Sequence, residues 1–406
     1  MQKKSIDTSL VFLVLGLMVF GMVMISSVSV YSSFKVTTIQ VAKGLLDEPH
    51  NAFYLMRNLM HITISLVMLT IFSKIPYSFF EKYAKVIYMI SIVFLASVFF
   101  IGEEYNGAKG WISVPGIPLS LQPIEFVKIG LLIMLAFFVK RNRLFLHSFK
   151  KGFLPYFFYV GLVVLLLMLQ PDFGSILILT PIVVGLYFVA GGNKRFIIIS
   201  LILAFFGMTA IYGVGKFTDK SKLAYISQRV DNFFRSSQQI TESRNGDQGD
   251  YQLKQGFIAL GSGGFFGLGF GKSIQKFGYL PEVQGDFIFS VIVEELGFVG
   301  AFFLIFIYLA IVYRGFYIAR SVKDLFGKYL AFSITLWIIV QTSINIGVNL
   351  NIIPLTGVTL PFVSYGGSSL ISLSIAIGIL LSISRHSEYK PQNLSDALQA
   401  KRTVIF

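Results

Sequence analysis

Several groups of residues in this chain have types and spacings that could do chemistry. In PEVQGDFIFSVIVEELG (281–297), Asp286 stands where a mostly polar segment meets an apolar run, and Glu294 and Glu295 lie within that run. A carboxylate at such a junction can act as a general base, or it can cap a helix by accepting from the N–H groups of the first turn. The helix dipole would lower its pKa, keeping it ionised but weakening it as a base unless desolvation or a second acid acts the other way. Glu294 and Glu295 follow about 12 Å farther along a helix, too far to share a substrate with Asp286, and suit pairing with other helices. Glu125 and Lys128, in LQPIEFVKIG (121–130), are three residues apart on one helical face, either as a structural ion pair or as part of a substrate site. Gln341, Asn345 and Asn349 recur at i, i+4 and i+8 as one amide stripe, a pattern that most often joins helices. The SYGGSS run from Ser364 to Ser369 follows Pro354 and Pro361, and allows close packing or an irregular backbone lining a cavity. Asp172, in the tight turn QPDFG (170–174), suits helix capping.

Apolar elements must position these residues. Of 406 residues, 55% are hydrophobic and 13% charged, and the mean hydropathy is +0.74, which makes this an integral membrane protein. An ionisable group inside such a protein is costly unless it faces a wet or paired interior, so each one singled out above is a hint of function. Forty-two Phe and 37 Gly fit helices that pack closely and turn rings to lipid, and the absence of Cys excludes disulfides, thiol nucleophiles and thiolate metal sites. The net charge of +14 falls mainly between apolar runs, as topology signals do, so no nucleic-acid partner is expected. The apolar run in residues 1–30 is too long for a signal-peptide core and reads as the first span.

At about 20 apolar residues per crossing, ten segments qualify: 9–30, 54–73, 84–102, 121–139, 153–170, 173–191, 195–214, 286–313, 329–349 and 359–383. The expected fold is all-α and polytopic, one transmembrane domain over 1–386 with a large extracytoplasmic loop at 215–285 and a tail at 387–406. Six basic groups, from Lys3 and Lys4 through Lys140 and Arg141 to Arg385 and Lys390, fall on one side of ten spans, which makes that side, and both termini, cytoplasmic. Asp286, Glu125, Lys128, Asp172, Asn345, Asn349 and the Ser364 to Ser369 segment then collect at the outer half of the bilayer. Within the loop, 216–250 is polar, whereas 251–280 is Gly-rich and amphipathic and suits packing against the membrane. Its run GSGGFFGLGFG (261–271) reads as turns permitting a re-entrant segment in preference to a phosphate cradle, because no nucleotide-binding glycine motif in a strand-to-helix context is present. No internal repeat suggests an inverted-repeat transporter.

The motifs NGAKGWI (106–112), LQPIEFVKIG, QPDFGS (170–175), YQLKQGFIALGSGG (251–264), YLPEVQGDFIFSVIVEELG (279–297) and INIGVNLNIIPLTGVTLPFVSYGGSSL (344–370) closely resemble, in order, the SEDS family (FtsW/RodA/SpoVE). SIQKFGYLPE (273–282) is more similar to the division branch, FtsW, than to the elongation branch. The resemblance implies a ten-span peptidoglycan glycosyltransferase that polymerises lipid II on the outer face of the cytoplasmic (inner) membrane in septal synthesis. It implies a class B penicillin-binding protein and other divisome membrane proteins as partners. The family's essential acid falls on Asp286, its QPxExxK pair on Glu125 and Lys128, and the Arg of its outer loop on Arg229. Asp286 would be the general base of an inverting transfer, with Lys128, Arg229, Lys272, Lys276 or a bound divalent ion stabilising the leaving pyrophosphate. Asn345, Ser364 and Ser368 join them as candidate substrate contacts. Gly285, Ile124 and Val293 depart from the family's usual Thr and small residues while leaving the charged positions intact. Two other functions remain open: a lipid II flippase, which needs a polar path to the cytoplasmic side, and a non-catalytic scaffold recruiting the penicillin-binding protein.

Overall fold

The first apolar run becomes α1 (Thr8–Val28), started by Asp7, whose Oδ1 accepts from Leu10 N at 3.0 Å. It is followed by α2 (Val30–Ala42), α3 (Phe53–Lys74), α4 (Tyr77–Lys82), α5 (Ala84–Ile101) and three short strands, β1 (Glu103–Tyr105), β2 (Ala108–Ser113) and β3 (Ser120–Leu121). Then come α6 (Pro123–Arg141), α7 (Leu154–Leu169), α8 (Phe173–Val189), α9 (Lys194–Phe217), α10 (Gln248–Ser262), α11 (Ile288–Ser321), α12 (Leu325–Asn349) and α13 (Gly367–Ser384). This computed structural model describes residues 6–105, 108–113, 120–217 and 248–386. The architecture is all-α and polytopic, and each of the ten apolar segments coincides with a helix. Among the described residues, seven helices are long and apolar enough to cross a membrane. The strands pair antiparallel in the order β1-β2-β3. Neither they nor α2 was expected, because these segments are too short or too polar to match a membrane-span pattern.

Composition and caps explain where the helices begin. Pro123 occupies the first turn of α6, where its missing N–H costs nothing. Asp172 caps α8, its Oδ1 accepting from Ser175 N at 3.0 Å, and Asp324 caps α12 by accepting from Gly327 N at 3.0 Å. At the centre lies α13, in which every side chain from Ser368 to Ser384 is buried. It packs along α3, α6 and α12. Small residues make that possible: a Cβ on Gly378 would meet the Leu69 carbonyl at 2.8 Å.

Two boundaries differ from the sequence expectation. The tenth span was expected from 359, but 359–366 is irregular and the helix starts at Gly367, as the Gly and Ser content of that segment allows. The eighth was expected as one run, but Gly297 (φ 68, ψ −169) breaks α11 into 288–296 and 298–321.

The Gly-rich run repairs that break. Leu268 N and Gly269 N donate to the carbonyls of Glu294 and Glu295, both at 2.9 Å, while Phe298 N and Val299 N donate to Gly264 O (3.0 Å) and Phe265 O (3.2 Å). Two of the carbonyls and two of the N–H groups orphaned at the half-helix ends are thereby satisfied by backbone. Glycine is required for this approach: a Cβ on Gly267 (φ +77) would collide with Glu295 O, and one on Gly297 with Gly267 N. The glycines therefore serve turns and close backbone packing, and the N–H groups of Leu268 and Gly269 are committed to α11. Phe265 stacks on Phe298 (5.7 Å, 26°), joining the loop's exposed aromatics to the outward face of α11.

Candidate active site

Asp286 lies two residues before α11. Phe287, and not Asp286, takes the N-cap position, and the first turn is bonded by Asn349. Asp286 is fixed instead through its backbone. Its carbonyl accepts from Asn345 Nδ2 (3.0 Å) and Asn349 Nδ2 (2.9 Å). Asn349 Oδ1 in turn accepts from Ser290 N (3.1 Å) and Ser290 Oγ (2.7 Å), pinning the first turn of α11. Ser364 Oγ donates to Gly285 O at 2.6 Å and Tyr365 N to Gln284 O at 2.8 Å. Three consecutive carbonyls, those of Gln284, Gly285 and Asp286, are thus held by α12 and by the segment joining it to α13.

The Asp286 side chain is half-buried. A Cβ on Gly357 (φ +71) would lie 3.5 Å from Asp286 Oδ2, so the carboxylate lies over the α12–α13 connection where that connection has a glycine. A reachable carboxylate on an immobilised backbone has what proton abstraction needs: fixed geometry and access.

The amide stripe ties this loop to the buried ion pair. Asn345 Nδ2 also donates to Val358 O (2.7 Å), and one turn earlier Gln341 Nε2 donates to Thr359 O (3.1 Å), so adjacent carbonyls of the connection hang on α12. Gln341 Oε1 accepts from Trp337 Nε1 (2.7 Å) and Lys128 Nζ (3.4 Å). Lys128 Nζ is 2.8 Å from Glu125 Oε1 and 4.7 Å from the Trp337 ring centroid, and Glu125 Oε2 accepts from Ser372 Oγ at 3.0 Å. The pair joins α6, α12 and α13, with the Lys128 side chain fully buried and that of Glu125 9% exposed. Ser368 brings in the start of α6, accepting from Gln122 N (3.0 Å) and donating to Ser120 O (3.1 Å). Asp172 completes the surroundings: burial holds its carboxyl above the ordinary range, against two bonds from Ser175, and it feels the charges of Lys128 and Glu125.

Of the residues singled out in the sequence, Asp286, Asn345, Asn349, Ser364, Ser368, Glu125 and Lys128 come together in one bonded assembly. Lys276 does not join it. It lies at the other end of the first half of α11, with Nζ 2.8 Å from Glu295 Oε1. Lys272 is exposed on the loop, and Arg229 lies outside the described residues. Glu294 and Glu295, expected to pair with other helices, meet one helix, α1, through Ser27, and otherwise the Gly-rich segment. Among the described residues no group of three or more His, Asp or Glu is placed to hold a metal ion. Gln341, Thr359, Trp337 and Ser372 complete the assembly; only Gln341 carried a sequence signal, its place in the stripe.

Known proteins resemble this chain over nearly its whole length. Residues 8–389 match the family model described as cell cycle protein, FTSW_RODA_SPOVE. Stage V sporulation protein E of Bacillus subtilis is 33% identical over 392 residues, covering 96% of this chain and 99% of the relative. The probable peptidoglycan glycosyltransferase FtsW of the same organism is 35% identical over 393 residues, covering 95% and 92%. Among solved structures, a chain from a study of how a peptidoglycan synthase complex coordinates polymerization and crosslinking superimposes with a TM-score of 0.72 at 25% identity, covering 95% of this chain and 99% of that one. The rod shape determining protein RodA of Thermus thermophilus gives 0.66 at 26%, covering 95% and 98%. With the match spanning nearly the whole chain, and the motif residues gathered in space, this protein belongs to the FtsW/RodA/SpoVE family.

Proposed function

We propose that this chain is a peptidoglycan glycosyltransferase that polymerises lipid II at the outer face of the cytoplasmic membrane, in septal synthesis, with a class B penicillin-binding protein as partner. The observation that carries the reading is the half-buried Asp286 carboxylate on a backbone fixed by Asn345 and Asn349. In this reading Asp286 takes the proton from the 4-hydroxyl of the acceptor lipid II as that oxygen attacks the anomeric carbon of the donor. The C–O bond to the lipid pyrophosphate breaks, the pyrophosphate leaves with the electron pair, and the anomeric centre inverts. Asn345, Asn349, Ser364 and Ser368 act through the loops they hold, and the Glu125–Lys128 pair fixes α6 against α12 and α13 beside the reacting groups.

The transporter alternative draws no support from the opposite end of α12. There Lys140 bridges Glu81 (2.6 Å) and Asp324 (2.7 Å), tying α4, α6 and α12, and Arg314 bonds Asp7 at 2.6 Å, tying α11 to α1. The deciding experiment reconstitutes the chain with its partner in liposomes, the partner's transpeptidase inactivated, and follows glycan formation and lipid translocation together. Glycan strands without translocation are expected; translocation without strands would establish the flippase, and neither would leave the scaffold.

A further inference from the structure

The first half of α11 has Asp286 at one end and two buried carboxylates at the other. Lys276 and Glu295, with side chains 4% and 0% exposed, pair at 2.8 Å. The ammonium has three acceptors: Glu295 Oε1, Ser27 Oγ (2.9 Å) and Gly271 O (2.7 Å). Ser27 of α1 donates to Glu295 Oε1 (2.9 Å), within reach of Oε2 at 3.2 Å. Next to it, Glu294 accepts from Ser273 Oγ and from Ile274 N (3.0 Å). The chain therefore leaves the pair at Lys276, passes through Asp286, and returns to the pair at Glu295 along a half-helix about 13 Å long. A buried, fully bonded ion pair closes a ring of chain that contains the proposed base. A buried pair adds little net stability over an apolar pair of similar volume, so its best physical use is to fix one register.

We propose that Lys276, Glu295 and Ser27 form a clasp that sets the position of the loop bearing Asp286, making Lys276 a positioning residue and not a cation facing the leaving group. The proposal rests on the reading of Asp286 as base for its effect on turnover, but not for its effect on position. The test uses Lys276→Met/Glu295→Leu, an apolar pair that avoids leaving one charge buried alone. Because the native chain has no Cys, spin labels on cysteines introduced at the exposed positions Glu282 and Ile352 report the loop's distance from the α12–α13 connection in the full chain with its partner. The expected result is a broadened or displaced distance distribution, with kcat for glycan synthesis down about tenfold and KM within about twofold. An unchanged distribution would overturn the clasp. A displaced loop with unchanged kcat would support the clasp and count against Asp286 as the base. If the apolar pair fails to fold, Ser27→Ala, which keeps the ion pair and removes one leg, should displace the loop in the same direction with a smaller loss; native distances there would also overturn the proposal.

Discussion

At the scale of single residues, the assembly sets an enclosed ion pair beside a half-buried carboxylate, Asp286. Lys128 and Glu125 are enclosed and bonded to Gln341, Trp337 and Ser372, so Lys128→Met should leave a buried carboxylate unpaired and destabilise the protein by about 3–5 kcal/mol. Lys128→Met/Glu125→Leu should recover most of that loss; thermal unfolding in detergent measures both, and equal destabilisation by single and double variants would argue that the pair is not the cause. Asn345 and Asn349 share one acceptor, the Asp286 carbonyl. Asn345→Ala and Asn349→Ala should each lower kcat with little change in KM, and the double variant should lose more than either, since neither amide then holds the carbonyl. The sequence made the stripe visible through its spacing of four, but not its acceptors. A carbonyl 13 or 59 residues away leaves no mark on local pattern, which is why the spacing shows amides suited to joining helices, as Gln341 joins α6 and Asn349 joins α11, but not that the same stripe hangs a loop.

At the scale of elements, the broken helix is the feature that seats the Gly-rich run. Gly297 has backbone angles that L side chains rarely adopt, and the Gly-rich run lies against it. Gly297→Ala should therefore cost at least about 1–3 kcal/mol of backbone strain, with a further penalty from collision at Gly267. Lowered thermal stability and loss of glycan synthesis are expected together; a variant with native melting would show that the break tolerates a side chain. Apolar periodicity could not reveal this break, because a single Gly in an apolar run reads as tolerated helix. The density of glycines at 261–271 did signal turns, but the element they pack on, the helix ends at 294–299, shows only in three dimensions. The late start of α13 has the same origin: Gly366, Gly367 and the flanking Ser residues fit a helix start or an irregular backbone equally well.

At the scale of the whole molecule, composition specified an integral membrane protein, and about 20 apolar residues per crossing located ten segments that each coincide with a helix, while α2, α4 and α10 lie outside them. What composition could not supply was which ends of which helices meet. The two ends of α12 show the outcome: Asp324 joins the Lys140 bridge at one, and Asn345 and Asn349 hold Asp286 at the other, roughly 30 Å away at 1.5 Å per residue. The Lys140 bridge is partly exposed and belongs to the end remote from the proposed chemistry. Lys140→Ala should change stability by no more than about 1 kcal/mol and leave the rate of glycan synthesis unaltered, whereas a transport path through that end would be altered by it. In the proposed reaction one carboxylate, that of Asp286, does the proton abstraction. The most direct measurement of that role is the initial rate of lipid II polymerisation by the purified protein and its partner, comparing the native chain with Asp286→Asn, which keeps the shape and removes the base. The rate should fall by about 100-fold or more, with thermal stability unchanged; a rate within about twofold of the native chain would contradict the assignment of Asp286 as the base.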